Sequence, residues 1–274
     1  MEVIVLPTSA DVARRAADVV LAGLPAASGT GPHDAERHDP VLGLATGSSP
    51  LGLYAELARA VEAGRLDLTR ARGFALDEYV GLPAGHPESY REVLLREVCR
   101  PLRLAPDRLF VPDGSGTTER ELASAAVEYE RGIAAAGGVD VQILGIGANG
   151  HLGFNEPGSS LASRTRVKRL SDRTRRDNAR FFGGDVDAVP THCVTQGLGT
   201  VLDARRLVLV ASGQGKAAAV AAAVEGPLSA SCPGSVIQWH AEAFVVLDEA
   251  AAARLRNRDY YDASAAGLSE SPTP

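Results

Sequence analysis

Two short stretches of the sequence carry side chains that could move protons. Asp77 and Glu78 come directly after the apolar residues 74–76, a place where open α/β sheets hold a catalytic base. His151 lies between glycines, and Glu156 follows five residues later. An imidazole that titrates near neutrality, with a carboxylate to orient it, is typical of acid–base catalysis. The sequence therefore predicts proton transfer; the alternatives are capping or solvated carboxylates and a packed histidine.

A second group of residues has the composition of an anion-binding site. Thr46, Gly47, Ser48 and Ser49 follow an apolar run and precede a predicted helix, so backbone amides and hydroxyls would face one point. Lys216 comes after a glycine-rich turn and is one of only two lysines among the 28 basic residues. We interpret these two segments as parts of a phosphate site. The alternatives are an N-capped turn and a solvated lysine.

Several classes of protein are excluded by composition. The net charge is −6 and the sequence pI is about 5.6, so no basic field favours nucleic acid or a membrane surface. The odd number and wide spacing of the cysteines argue against a disulfide framework and a thiolate zinc site: Cys99, Cys193 and Cys232. No Gly-x-Ser-x-Gly elbow is present. We expect a soluble, cytoplasmic protein, because signal-peptide and membrane-spanning patterns are absent from the sequence.

The elements that must position these residues alternate along the chain. Strands are predicted over 3–6, 41–44, 73–76, 109–111, 139–144, 206–211 and 244–246. Helical patterns lie between them, including 51–63, 87–98 and 117–136. This order predicts an α/β fold: a single-domain doubly wound, mostly parallel sheet flanked by helices, Rossmann-like, over 1–268. A surface loop is expected at 25–40 and a disordered tail at 269–274.

The order of the motifs resembles the glucosamine-6-phosphate deaminase (isomerising) family. The similarity covers nearly the whole chain. It rests on residues 45–50, 76–82, 86–90 and 145–168, on Arg180 with its two following phenylalanines, and on the Lys216 turn and residues 238–240.

The resemblance implies a division of roles. Asp77 would carry a proton from C2 of the opened sugar to C1, and His151, aided by Glu156 and Asn149, would open the ring. The loop 46–49, Arg180 and Lys216 would hold the 6-phosphate. The implied reaction converts glucosamine 6-phosphate to fructose 6-phosphate and ammonia without a metal or another cofactor.

One position departs from the pattern of many family members, which carry aspartate where this chain has Asn149. An amide can orient His151 but cannot stabilise its charged form as a carboxylate does. We therefore expect Glu156 to be the main electrostatic partner of His151.

The resemblance also implies regulation. Four residues match positions that bind N-acetylglucosamine 6-phosphate between the subunits of a hexamer in some relatives: Ser159, Arg166, Lys168 and Arg169. We therefore expect the chain to form a homo-oligomer, specifically a homohexamer, that is activated by N-acetylglucosamine 6-phosphate. The segment 157–182 is polar and joins the His151 loop to Arg180, so we expect it to act as a lid.

Two other functions are compatible with parts of this pattern. A 6-phosphogluconolactonase shares the fold and a glycine-rich phosphate loop, but it needs no base at C2, which Asp77 would provide. A non-catalytic sugar-phosphate sensor would need a DNA-binding module, and residues 1–40 contain no helix-turn-helix pattern or basic patch.

Overall fold

The computed structural model of the chain describes residues 1–25 and 39–267. The described part contains the strands β1 (Glu2–Leu6), β2 (Val41–Leu44), β3 (Arg72–Ala75), β4 (Asp77–Tyr79), β5 (Leu109–Phe110), β6 (Val141–Leu144), β7 (Arg166–Arg169), β8 (His192–Thr195), β9 (Arg206–Ala211) and β10 (Ala243–Asp248). Seven of them form one parallel sheet in the order β1-β10-β9-β6-β2-β3-β5.

Helices cover the faces of this sheet. They are α1 (Ser9–Gly23), α2 (Leu51–Glu62), α3 (Tyr90–Leu94), α4 (Arg100–Leu102), α5 (Glu119–Ala135), α6 (Asp172–Asn178), α7 (Leu198–Leu202), α8 (Ala217–Val224), α9 (Glu249–Ala252) and α10 (Arg258–Gly267). The central strands β2 and β6 are buried at every residue, as expected for a parallel sheet covered on both faces. The doubly wound α/β fold predicted from the sequence is confirmed.

A second, smaller sheet was not predicted. The strands β4, β8 and β7 pair antiparallel, with Asp77 opposite Thr195 and Thr195 opposite Arg166. Asp77 follows β3 of the main sheet, as predicted, but it also begins the additional strand β4, which the sequence analysis did not predict. These strands are three or four residues long and rich in polar side chains, so they lack the apolar run that marked the main sheet.

The helix predicted over 87–98 also differs in its bounds. It begins at Tyr90, because the Ser89 hydroxyl accepts a hydrogen bond from the amide of Glu92. It then passes through a π-helical turn, Leu95–Cys99, into α4. Such turns leave little trace in the spacing of apolar residues.

The predictions for the loop 25–40, for the tail 269–274 and for the cellular location are not tested by the described residues. Most of the loop 25–40 and the whole tail 269–274 fall outside the described ranges. Within those ranges, none of the helices combines the length and the apolar character needed to cross a bilayer. The cytoplasmic location stays a prediction.

Candidate active site

A cavity of about 480 Å³ opens at the carboxyl ends of the parallel strands, with β4 forming one wall. It brings together most of the site residues predicted from the sequence: Thr46, Gly47, Ser48, Ser49, Asp77, His151, Arg180 and Lys216. Asn149 and Glu156 lie behind His151 and contact it from there. The proton-transfer and anion-binding stretches therefore face one cavity.

Asp77 is buried at one end of this cavity. Among the described residues, none donates a hydrogen bond to its carboxylate. Burial raises the pKa of Asp77 to about 8, and the negative charge of neighbouring Glu78 adds to the effect. Gly153 lies against it with φ +55°, and a β-carbon there would approach Asp77 Oδ2 at 3.0 Å. The carboxyl is thus placed to bind and release a proton near neutral pH.

Glu78, the next residue, has a different environment. Its carboxylate accepts hydrogen bonds from the backbone amides of Tyr79, Tyr90 and Arg91 at 2.8–2.9 Å. Two of these amides belong to the first turn of α3, so Glu78 anchors that helix to β4. Burial raises the pKa of Glu78, and the three amides oppose that effect. Glu78 therefore has a structural role beside Asp77.

His151 lies at the other side of the cavity, over Gly147. A β-carbon at Gly147 would come within 2.5 Å of the imidazole ring, so the glycine is required for this packing. The Nδ1 atom of His151 is 3.9 Å from Glu156 Oε2, too far for a hydrogen bond, and it has no hydrogen-bond partner among the described residues. Burial lowers the pKa of His151, while the Glu156 carboxylate opposes this effect.

Asn149 connects His151 and Glu156. Its side-chain oxygen accepts a hydrogen bond from the amide of His151 at 3.2 Å, and its Nδ2 donates to Glu156 Oε2 at 2.7 Å. Thr174 and Ser171 donate to the other oxygen of Glu156, the latter at 3.0 Å. Burial alone would raise the pKa of Glu156, but these hydrogen bonds and His151 bring it below its ordinary value. Glu156 is therefore a fixed negative charge.

The anion-binding end is formed by two loops. Gly47 has φ +90°, which lets the loop 46–49 turn directly before α2. Lys216 Nζ donates to the carbonyl of Ile146 at 2.6 Å. Burial lowers the pKa of Lys216 and nearby Arg180 lowers it further. A bound phosphate would reverse both costs, because it supplies negative charge to these cations.

The turn that carries Lys216 is held by a residue that sequence analysis missed. Both carboxylate oxygens of Asp248 lie 3.0 Å from the amide of Gly213, which has φ +89°. Asp248 also caps α9 by accepting from the amide of Ala251 at 2.7 Å. The sequence signal that could have identified Asp248 is its position as an acidic residue at the end of the apolar strand β10.

Arg180 lies on a 3-10 turn directly after α6. Its guanidinium is 4.6 Å from the ring centre of Phe181 and points to the cavity. An aromatic wall that was not predicted lines the cavity between Arg180 and Asp77; it consists of Tyr79, Tyr90, Phe154 and Phe182.

The four residues expected to bind an effector lie outside the cavity lining. Ser159 is buried, and its hydroxyl has no partner among the described residues. Arg166, Lys168 and Arg169 lie on β7, at the edge of the small sheet. In the described ranges, no group of three or more His, Cys, Asp or Glu side chains could hold a metal ion.

Comparison with known proteins identifies the family that the chain resembles over most of its length. Residues 7–246 match the family model of glucosamine-6-phosphate isomerases and 6-phosphogluconolactonases. A glucosamine-6-phosphate deaminase of Beutenbergia cavernae is 55% identical to the chain over 262 residues, which are 95% of this chain and 95% of that protein.

Solved structures have the same fold. One described as a monomeric glucosamine-6-phosphate deaminase has a TM-score of 0.83 and 35% sequence identity, covering 93% of this chain and 100% of that chain. A 6-phosphogluconolactonase from Leishmania guyanensis has a TM-score of 0.69 and 20% identity, over 91% of this chain and 97% of that chain. At that identity the second likeness concerns the fold alone.

Proposed function

The chain belongs to the family of glucosamine-6-phosphate isomerases and 6-phosphogluconolactonases, and we propose that it isomerises and deaminates glucosamine 6-phosphate in amino-sugar catabolism. The products are fructose 6-phosphate and ammonia. The observation that carries this proposal is Asp77, a buried carboxyl with a pKa of about 8 that faces the same cavity as two cations and a histidine. A lactonase needs no such base, because lactone hydrolysis removes no proton from carbon.

The phosphate end of the substrate is held first. Lys216, Arg180 and the amides of the loop 46–49 supply positive charge and donors at one end of the cavity. Binding energy from this remote group orients the sugar, whose reacting carbons then lie toward Asp77 and His151.

Ring opening follows at His151. The neutral imidazole, whose pKa is lowered by burial, accepts the proton of the O1 hydroxyl and passes a proton to O5 as the C1–O5 bond breaks. Glu156 stabilises the imidazolium formed in between, and Asn149 fixes the loop that joins the two residues.

Asp77 then moves the hydrogen between carbons. Its ionised form removes the proton from C2 of the open chain and returns it to C1, while a second proton passes from the amino nitrogen to O1. This leaves a hydroxyl group at C1 and a C=N bond at C2. Water adds to this carbon and ammonia leaves, so one water is consumed for each ammonia released. A carboxyl with a pKa near the working pH is suited to both halves of the transfer.

The direct experiment measures ammonia release from glucosamine 6-phosphate by the wild-type chain and by Asp77→Asn. We expect turnover by the wild type only. Hydrolysis of 6-phosphogluconolactone without release of ammonia would instead establish the lactonase activity.

We further propose that the chain forms a homohexamer activated by N-acetylglucosamine 6-phosphate at Ser159, Arg166, Lys168 and Arg169, with residues 157–182 acting as a lid. Support comes from the small sheet, in which β7 connects through β8 to the strand that carries Asp77. We expect the rate of the wild type to depend sigmoidally on substrate concentration, and the ligand to make this dependence hyperbolic. We expect Lys168→Ala to abolish the sigmoidal kinetics. A monomer with hyperbolic kinetics, unresponsive to the ligand, would contradict this regulation without touching the catalytic proposal.

A further inference from the structure

A hydrogen bond joins the helix that leads to Arg180 with the strand that carries Asp77. The side-chain Nδ2 of Asn178, the last residue of α6, donates to the Tyr79 hydroxyl oxygen at 2.9 Å. Tyr79 is the last residue of β4, two positions after Asp77. Side chains two apart in a strand point to the same face, so Asp77 and Tyr79 both face the cavity.

Tyr79 is a fixed point on this wall. It is 2% exposed, and its hydroxyl also accepts a hydrogen bond from the Tyr90 hydroxyl at 3.2 Å. Its ring packs against those of Tyr90, Phe154 and Phe182 with centroids 4.7–5.8 Å apart. A side chain held on several sides can define the position of whatever binds to it.

Arg180, by contrast, depends on the segment that carries it. Within the described ranges its guanidinium forms no ion pair, and it lies over the ring of the adjacent Phe181. Asn178 is two residues before it, at the junction of α6 and the 3-10 turn. The Asn178–Tyr79 hydrogen bond therefore ties the chain on one side of Arg180 to the rigid wall, as the packing of Phe182 on Tyr79 does on the other side.

We propose that Asn178 is a positioning residue that sets the separation of Arg180 from Asp77, and so brings C2 of a phosphate-anchored substrate to the base. This role rests on the proposed deaminase function. A displacement of about 1 Å at the reacting atoms can reduce the rate by up to about a hundredfold. Without the Asn178–Tyr79 hydrogen bond, Arg180 can still bind the phosphate. We therefore expect kcat to fall while KM changes little.

The test is a double-mutant cycle on ammonia release from glucosamine 6-phosphate. Asn178→Leu keeps the approximate volume and removes the donor, and Tyr79→Phe keeps the packed ring and removes the acceptor. We expect kcat to fall about tenfold in each single variant, with KM changed less than about threefold. Adding Asn178→Leu to Tyr79→Phe should cost less than about twofold more, since the link is already broken. Arg176→Leu, at an exposed position of the same helix, is the matched control.

Three results would overturn the role of Asn178 while leaving the deaminase activity in place. They are single variants with wild-type kcat, a rise in KM at constant kcat, and losses that multiply fully in the double variant. Tyr79→Phe retains the aromatic packing, so the cycle does not depend on one variant alone. A wild-type chain that releases no ammonia would instead overturn the proposed function itself.

Discussion

Two carboxylates serve the same cavity from opposite environments. Asp77 is buried, receives no hydrogen bond from the described residues and has its pKa raised to about 8. Glu156 accepts hydrogen bonds from Asn149, Ser171 and Thr174, and its pKa lies below the ordinary value. The same chemical group is thus a proton carrier on the cavity wall and a permanent negative charge behind His151.

The comparison shows how one fold separates two acid–base tasks. Burial without donors stabilises the protonated carboxyl, and a shell of donors stabilises the carboxylate. Pairs of titratable groups with pKa values moved apart are typical of enzymes that need both an acid–base residue and a fixed charge. Substitutions that remove the charge of either carboxylate therefore test directly whether Asp77 is the proton carrier and Glu156 the fixed charge.

The largest effect is expected from Asp77→Asn. The amide cannot accept the C2 proton, so kcat should fall by about 10³-fold or more, within the range known for general bases. Steady-state ammonia release measures this, with Asp18→Asn on the exposed face of α1 as a control. A loss smaller than tenfold would show that the base lies elsewhere.

The next largest effect concerns Glu156. Glu156→Gln removes the charge that stabilises imidazolium, so we expect about a hundredfold loss in kcat. Asn149→Ala removes only the link between Glu156 and the His151 amide, and the loss should be about tenfold or less. Both are measured on glucosamine 6-phosphate under the same conditions. Equal losses in the two variants would contradict the assignment of Glu156 as the main partner of His151.

Replacing the two carboxylates should change the thermal stability in opposite directions: Asp77→Asn should raise Tm at alkaline pH, and Glu156→Gln should lower it. The unfolded chain loses the Asp77 proton near pH 3.8, whereas the folded chain holds it to about pH 8. The folded state therefore binds more protons in this window, and its stability falls as pH rises through it. Asp77→Asn avoids that loss, so its Tm should exceed that of the wild type by several degrees at pH 8.5 and by less at pH 5.

Glu156→Gln should lower Tm at pH 8.5, because a hydrogen-bonded charge contributes about 1.5–3 kcal/mol. Its pKa is lowered by folding, so the contribution is present at neutral pH and is lost on acidification. Thermal unfolding of the two variants beside the wild type gives both signs in one series. A lower Tm for both variants would remove the contrast between the two environments.

The smallest effect is expected from Glu78→Gln. Its negative charge helps to raise the pKa of Asp77, so its removal should move the acid limb of kcat/KM to lower pH. At pH 7 the change in kcat/KM from this cause should be less than about tenfold. The limb is compared with that of Glu92→Gln, a carboxylate in the same helix segment that Glu78 anchors. An unchanged limb would leave burial alone as the cause of the raised pKa.

Much of the fold could be predicted because its signals are local. Most strands of the parallel sheet are short apolar runs, and a helix is the next long element after β1, β2, β5, β9 and β10. The small antiparallel sheet could not be predicted, since Asp77–Tyr79 and Arg166–Arg169 are short and polar. Both pair with His192–Thr195, and Asp77 lies 118 residues before its partner Thr195. Nothing in the residue types alone states which distant segments will pair.

The sequence by itself determined the chemical groups and the edge of the sheet at which they gather: Asp77, His151, Glu156, Lys216 and the loop 46–49 follow strands whose carboxyl ends meet. Only the tertiary structure decided which carboxylate is buried without donors and which is surrounded by them. It also decided that Asn178 reaches Tyr79 and that Asp248 holds the turn of Lys216. The reason is that a pKa and a contact depend on the neighbours that packing supplies, and these neighbours come from distant parts of the chain.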